Sequence, residues 1–93
     1  MAISGLLRNM KYYVYILKSK SSDKHYVGQT NNLERRLREH NSGKSTYTKK
    51  FIPWEIVYYE EKDNQAEAIK TEKFYKSASG RKKIKKILSP VAQ

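Results

Sequence analysis

An α+β domain is what this sequence predicts, with a three-stranded antiparallel sheet flanked by helices in the order β-β-α-β-α-α. Three observations carry that expectation. The chain has 93 residues, enough for one small domain and little more. Residues 12–17, 24–29 and 54–60 are dense in aromatic and β-branched side chains, as strands are. The stretches that follow carry apolar residues at helical spacing, opened by Asn or Asp and closed by Gly or Pro.

Residues 1–10 have no clear period and read as an N-terminal arm. Residues 11–88 form the domain, and 89–93 a C-terminal tail. Tyr12-Tyr13-Val14-Tyr15-Ile16-Leu17 is apolar on both parities, so both faces of this strand should be covered. Tyr13, Tyr15 and Leu17 share one face, and Tyr12, Val14 and Ile16 the other. The turn cluster Ser19 to Asp23 makes an antiparallel hairpin with residues 24–29. Gly28 in that second strand either admits a close neighbour or ends the strand. Thr30 or Asn31 is expected to cap the first helix, with Leu33 and Leu37 inward and Asn41-Ser42-Gly43 as its stop. A basic loop then leads to the third strand. Asp63 or Asn64 should cap a second helix running through Ala66, Ala68, Ile69 and Tyr75 to about Ser77. Gly80 is expected to break it, before a short basic helix over 81–88. Leu33, Leu37, Ile56 and Ile69 are expected to be deeply buried.

Lys plus Arg number 20 against 9 Asp plus Glu, a net charge of +11 at pH 7. Such charge self-repels unless a polyanion neutralises it, and nucleic acid is the commonest such partner. The absence of Cys excludes disulfides, thiolate metal sites and Cys nucleophiles together. Two His without Cys argue against structural zinc. No apolar run approaches the roughly 20 residues that span a bilayer, so no membrane partner is expected. The first nine residues lack the charged start and apolar stretch of a signal peptide. A soluble, intracellular domain that binds polyanions is the expectation.

Helical phase singles out three polar residues. Leu33, Arg36, Leu37 and His40 share a stripe of the first helix, and Ala68, Ile69, Glu72 and Tyr75 a stripe of the second. A carboxylate on an apolar stripe is costly unless paired or bound to a cation. Arg36 and Glu72 therefore either form a structural ion pair at the core's edge, or converge with His40 on one shallow site. The eight Tyr concentrate on the strands, where each buried hydroxyl needs a partner.

Tyr13-Val14-Tyr15, with Tyr26-Val27-Gly28 beginning eleven residues after Tyr15, resembles the two half-motifs of the GIY-YIG nuclease superfamily. The likeness continues through Thr30-Asn31-Asn32-Leu33-Glu34-Arg35-Arg36-Leu37-Arg38-Glu39-His40-Asn41 and the helix Glu67-Ala68-Ile69-Lys70-Thr71-Glu72-Lys73. It covers roughly residues 11–88. Within the superfamily the chain looks most like the small single-domain bacterial UPF0213 or YhbQ-like group. It is more distantly similar to the N-terminal nuclease of the bacterial excision-repair endonuclease.

The resemblance implies a metal-dependent endonuclease that hydrolyses DNA phosphodiester bonds by a one-metal mechanism with a tyrosine general base. It nominates Tyr15 (Tyr26 as second choice) as that base, with His40 beside it. Arg36 would fork onto the scissile phosphate, and Glu72 would be the lone carboxylate holding one Mg²⁺ or Mn²⁺. The implied partner is DNA, branched or damaged forms as in DNA repair included, with RNA left open. The implied location is the bacterial cytoplasm, at the nucleoid. Lys44, Lys49, Lys50, Arg81, Lys82, Lys83, Lys85 and Lys86 are expected to track phosphates, the competing reading being solvated charge that serves solubility.

Three departures bear on this. Tyr13 replaces the first glycine of the motif, Gln29 stands where excision-repair relatives carry a lysine, and no asparagine follows Glu72 at about a dozen residues. They leave open a nucleic-acid-binding module that kept the fold and lost the chemistry. An adaptor docking acidic protein or RNA fits less well, because it needs no aligned Arg, His and Glu. A membrane-surface role for residues 82–88 fails on area, because so short a run buries too little. On the catalytic reading Tyr15, Tyr26, Arg36, His40 and Glu72 should line one concave patch on one side of the sheet, and Arg36 and Glu72 on opposite faces would count as its failure.

Overall fold

Strand β1 (Tyr12–Ser19) organises the molecule because its alternate side chains are buried on opposite faces. The computed structural model describes residues 11–89. The arm expected over 1–10, and the tail beyond residue 89, lie outside the described residues. Strands β2 (His25–Thr30) and β3 (Trp54–Lys62) pair antiparallel with β1 on either side, giving the order β2-β1-β3. The expected α+β architecture with a three-stranded antiparallel sheet is what the structure has.

Being antiparallel to the same strand, β2 and β3 run parallel to each other. Their connection must therefore cross β1, and helix α1 (Leu33–Asn41) makes that crossing. It packs on the face carrying Tyr15, Leu17 and Trp54, where Leu33, Leu37 and Ile56 join them. Helices α2 (Gln65–Tyr75) and α3 (Ala78–Leu88) cover the other face, where Val14, Ile16, Val27, Ala68, Tyr75 and Ile84 form a second cluster. Among the described residues no helix is long and apolar enough to cross a membrane.

Several boundaries move. Asn32, not Thr30 or Asn31, caps α1, accepting from the Arg35 amide at 2.9 Å. Thr30 is still in β2, and its hydroxyl oxygen accepts from the Asn32 amide at 3.1 Å. Asn64 caps α2 as one of the two expected residues, accepting from the Glu67 amide at 2.9 Å. Gly80 does not break a helix. It sits in the first turn of α3, capped by Ser77, and a Cβ there would collide with the backbone of Phe74 and Tyr75. Its bareness lets α3 fold back against the end of α2.

Burial also corrects the expected core. Leu33, Leu37 and Ile56 are half-buried, and Ile69 is 39% exposed. The inner stripe of α2 is Ala68, Glu72 and Tyr75, at i, i+4 and i+7. Ile69 lies about 100° round the helix from Ala68, beyond the reach of the sheet.

Alternation in β3 is interrupted once. Ile16 faces Tyr58 and Leu17 faces Ile56, so Val57 is an extra residue in the ladder, a β-bulge. Before it Trp54 and Ile56 serve the α1 face; after it Tyr58 and Glu60 serve the α2/α3 face. There the Glu60 carboxylate accepts from the hydroxyls of Tyr58, at 2.7 Å, and Tyr75, and pairs with Lys62 at 3.1 Å.

Candidate active site

Tyr15 points to the α1 face, directly opposite Gly28 of β2. A Cβ at position 28 would collide with the Tyr15 hydroxyl and lie 2.7 Å from its Cζ. The ring therefore lies across the Gly28 backbone and delivers its hydroxyl toward the open edge of β2. Of the two readings of Gly28, close approach is correct, and the neighbour is an aromatic ring.

Helix α1 supplies two partners for that hydroxyl, one turn apart, as its phase predicts. His40 Nε2 lies 3.0 Å from Tyr15 Oη, and Arg36 Nε donates to the same oxygen at 3.4 Å. His40 is fully buried, and its Nδ1 lies 2.8 Å from Thr48 Oγ1. Arg36 is half-buried, and its Nη1 donates to Glu39 Oε1 at 2.9 Å. Tyr26 stands edge-on to His40 with ring centres 4.9 Å apart, and the exposed ring of Tyr47 stacks over Tyr26.

Burial pushes the Tyr15 phenol up to about 12, against the hydrogen bond and charge of Arg36, which favour the phenolate. Burial, aided by the Arg36 charge, pushes His40 down to about 4, with Glu39 opposing. The Arg36 guanidinium is held firmly charged, chiefly by its hydrogen bond to Glu39. At neutral pH the site is thus a protonated phenol bonded to a neutral imidazole beside a fixed cation.

Glu72 corrects the expectation of a single-sided patch. It belongs to α2, on the opposite face of the sheet from Tyr15, Tyr26, Arg36 and His40. The reason lies in β1: a strand apolar on both faces needs a helix on each, and the helix after β3 takes the face α1 leaves open. Even so, the Glu72 charge contributes to raising the Tyr15 phenol. The structural ion pair between Arg36 and Glu72 does not form: Arg36 holds Glu39, and Glu72 holds Lys76 at 2.7 Å.

Among the described residues no group of three or more His, Asp or Glu converges as a ready metal cage. A single carboxylate suits a hydrated Mg²⁺ or Mn²⁺, which keeps most of its shell as water. The Lys76 ammonium occupies one oxygen of Glu72 at 2.7 Å, so an ion there would use the other oxygen or displace the lysine. The residue present fits one divalent ion held through one oxygen donor.

The basic residues divide. Lys76 and Arg81 line a cleft of about 310 Å³ along the β2 edge with His25 and Tyr26. Arg81, Lys82 and Lys85 border a second recess beside His25. Lys83 instead lies over the Tyr75 ring, 5.5 Å from its centre, and Lys86 is exposed on α3. Lys44 sits with Arg35 and Arg38 by the end of α1, and Lys49 and Lys50 are exposed on the 3₁₀ turn Thr48–Phe51.

Two contributors had no periodic signal in the sequence. Thr48 lies in the basic loop and completes the polar bonding of His40. Asn41 holds the start of β3, accepting from the Trp54 amide at 2.6 Å and donating to its carbonyl at 3.1 Å. The one available hint was that a buried histidine bonded through one nitrogen needs a partner for the other.

The chain is similar to known proteins. The family model of the GIY-YIG catalytic domain matches residues 11–85. A UPF0213 protein of Staphylococcus saprophyticus is 40% identical over 78 residues, 83% of this chain and 94% of its own. One from Clostridium perfringens is 41% identical over 78 residues, 83% of each chain. The UPF0213 protein of Bacillus halodurans, solved by NMR in solution, is 30% identical with a TM-score of 0.51, covering 87% of this chain and 88% of that one. With a domain model spanning both half-motifs and relatives aligned over most of their length, this chain belongs to the GIY-YIG family, with its nuclease-type fold, and to the UPF0213 proteins within it.

Proposed function

We propose that this chain is a metal-dependent endonuclease that hydrolyses DNA phosphodiester bonds at the β2 edge. The observation that carries the reading is the buried hydrogen-bonded set of Arg36, Tyr15 and His40, opening where Gly28 bares the strand. Glu72 would hold one Mg²⁺ or Mn²⁺; such an ion neutralises charge on the phosphoryl group and the leaving oxygen. Arg36 is fixed through Nε and Nη1, which leaves Nη2 to meet a non-bridging oxygen. Tyr15 takes the proton of the attacking water. With its phenol at about 12, phenolate is scarce at neutral pH, so Tyr15 passes its own proton to His40 Nε2 as it accepts the new one. Tyr15 is preferred to Tyr26 because its hydroxyl bonds both His40 and Arg36.

Arg81, Lys82 and Lys85 border the same edge and would track phosphates without reading bases. Replacing Lys82, Lys83, Lys85 and Lys86 by Gln should flatten the slope of log K against log salt by about 2 to 4 on duplex DNA. Most of that should come from Lys82 and Lys85. An unchanged slope would turn α3 away from the nucleic acid.

The decisive experiment incubates purified protein with supercoiled plasmid and with labelled duplex, branched, damaged and single-stranded DNA and RNA, in Mg²⁺, Mn²⁺ or EDTA. Arg36→Ala and Glu72→Gln should each lower cleavage about 100- to 1,000-fold. Cleavage that persists in EDTA, or in both variants, overturns the reading. Two observations favour one rival, a module that binds nucleic acid without cutting it: the Lys76 ammonium occupies Glu72, and the helix of Glu72 lies on the other face of the sheet from Arg36. Salt-dependent binding with no metal-dependent nicking of any substrate would select that rival.

A further inference from the structure

Residues 42–53 leave α1 and return to the sheet as a loop, and a closed ring of contacts fixes them. Asn41 grips the backbone of Trp54 through both its amide oxygen and nitrogen. The Trp54 indole Nε1 donates to the Thr48 carbonyl at 2.8 Å. The Thr48 hydroxyl then meets Nδ1 of His40, the neighbour of Asn41, at 2.8 Å. Thr48 and His40 are both fully buried, so neither can exchange this bond for one to water. A loop needs no such clamp merely to turn. This one delivers a single hydroxyl to a single nitrogen.

That bond matters because a neutral imidazole carries its proton on one nitrogen only. Each tautomer deprives one buried hydroxyl of the imidazole as acceptor, Tyr15 if Nε2 holds the proton and Thr48 if Nδ1 holds it, so the better donor of the two decides. If Nδ1 holds it, the chain runs one way. Arg36 donates to Tyr15 Oη, Tyr15 donates to His40 Nε2, and His40 Nδ1–H donates to Thr48 Oγ1. The Arg36 charge makes the phenol the better donor, and successive hydrogen bonds in one direction strengthen each other.

We propose that Thr48 is a positioning residue whose hydroxyl accepts from His40 Nδ1–H and so keeps Nε2 bare to receive the Tyr15 proton. Its purpose rests on the nuclease reading, but its measurement does not. The test is a long-range ¹H–¹⁵N correlation spectrum of the imidazoles in the uniformly labelled full chain at neutral pH. The chain has two histidines, and His25→Gln assigns the signals. The native protein and Thr48→Ser should both show His40 with a protonated Nδ1 and a bare Nε2. In Thr48→Val the proton should move to Nε2. A native spectrum with the proton on Nε2, or an unchanged tautomer in a folded Thr48→Val, overturns the proposal. If Thr48→Val fails to fold, the native and Thr48→Ser spectra still decide it. In the cleavage assay Thr48→Val should lower kcat about 100-fold at constant KM, with Thr48→Ser restoring it. A protein that cuts nothing yet shows the expected tautomers sinks the nuclease reading and keeps the hydrogen-bond assignment. Cleavage with the opposite tautomer does the reverse.

Discussion

The two faces of this sheet are built from the same strand and do different work. On the α2/α3 side, Val14 and Ile16 meet Ala68, Tyr75 and Ile84, with small residues where helices must come close. Polar groups there are the Glu60 carboxylate with its partners at one end and the ion pair of Glu72 on α2 with Lys76. On the α1 side Tyr15 and Leu17 sit beside a buried histidine, a buried threonine and a half-buried arginine, and the helix's own leucines are only half covered. One face closes; the other gives up apolar closure to hold an oriented polar chain. On the proposed reading the α1 face would carry the proton chain, and α2 and α3 would carry most of the apolar core besides Glu72 and the phosphate-facing cations.

Stability measurements can break that division. Ile84 is 2% exposed, and Ile84→Ala should cost about 2–5 kcal/mol in urea unfolding. Leu37 is half-buried, so Leu37→Ala should cost less, about 1–2 kcal/mol. Equal losses would mean the α1 face is packed as tightly as its counterpart.

Titration should separate the faces by pH. His40 falls from 6.5 to about 4 on folding, so the unfolded chain binds its proton first. Stability present above 6.5 should therefore be lost as pH falls toward about 4 and change no further below it. Glu60 is raised by burial, but hydrogen bonds from Tyr75 and Tyr58, with Lys62, bring it from 4.5 down to about 2. Its contribution is present above 4.5 and lost as pH falls toward about 2. Unfolding curves of His40→Gln should lose the upper slope alone, and those of Glu60→Gln the lower slope alone. A shared window would show that the two networks are coupled through β1.

The smallest effect is expected at Ile69. An exposed flank position should tolerate Ile69→Ser within about 0.5 kcal/mol. A loss near that of Ile84→Ala would restore it to the core and rotate α2.

Much of this was legible in the sequence, and the failures have physical causes. The phase of α1 found Arg36 and His40 because that helix has a clear apolar stripe, with Leu33 and Leu37 on it. In α2 the stripe was right at Ala68, Glu72 and Tyr75 and too wide at Ile69, because the one isoleucine was counted inward although it stands about 100° round the helix from Ala68. Glu72 was assigned to the wrong side for a reason visible in residues 12–17: apolar side chains of both parities already demanded a helix on each face. Gly80 looked like a breaker because glycine stops helices and also lets them touch, and one sequence does not tell these apart. Thr48 was missed because a loop has no period.

The extra residue in β3 has a consequence for how this gene can change length. Upstream of Val57 the strand aims Trp54 and Ile56 at α1, and downstream it aims Tyr58 and Glu60 at Tyr75. Loss of the codon for Val57 would straighten the ladder and leave every later side chain of β3 on its present face, because Tyr58 would follow Ile56 directly while still facing Ile16, with Glu60 still facing Val14. An insertion of one further residue upstream of Tyr58 would have no such slack, and would carry Tyr58 and Glu60 away from Tyr75. The bulge is thus a spare residue: the strand can lose it and keep both of its faces.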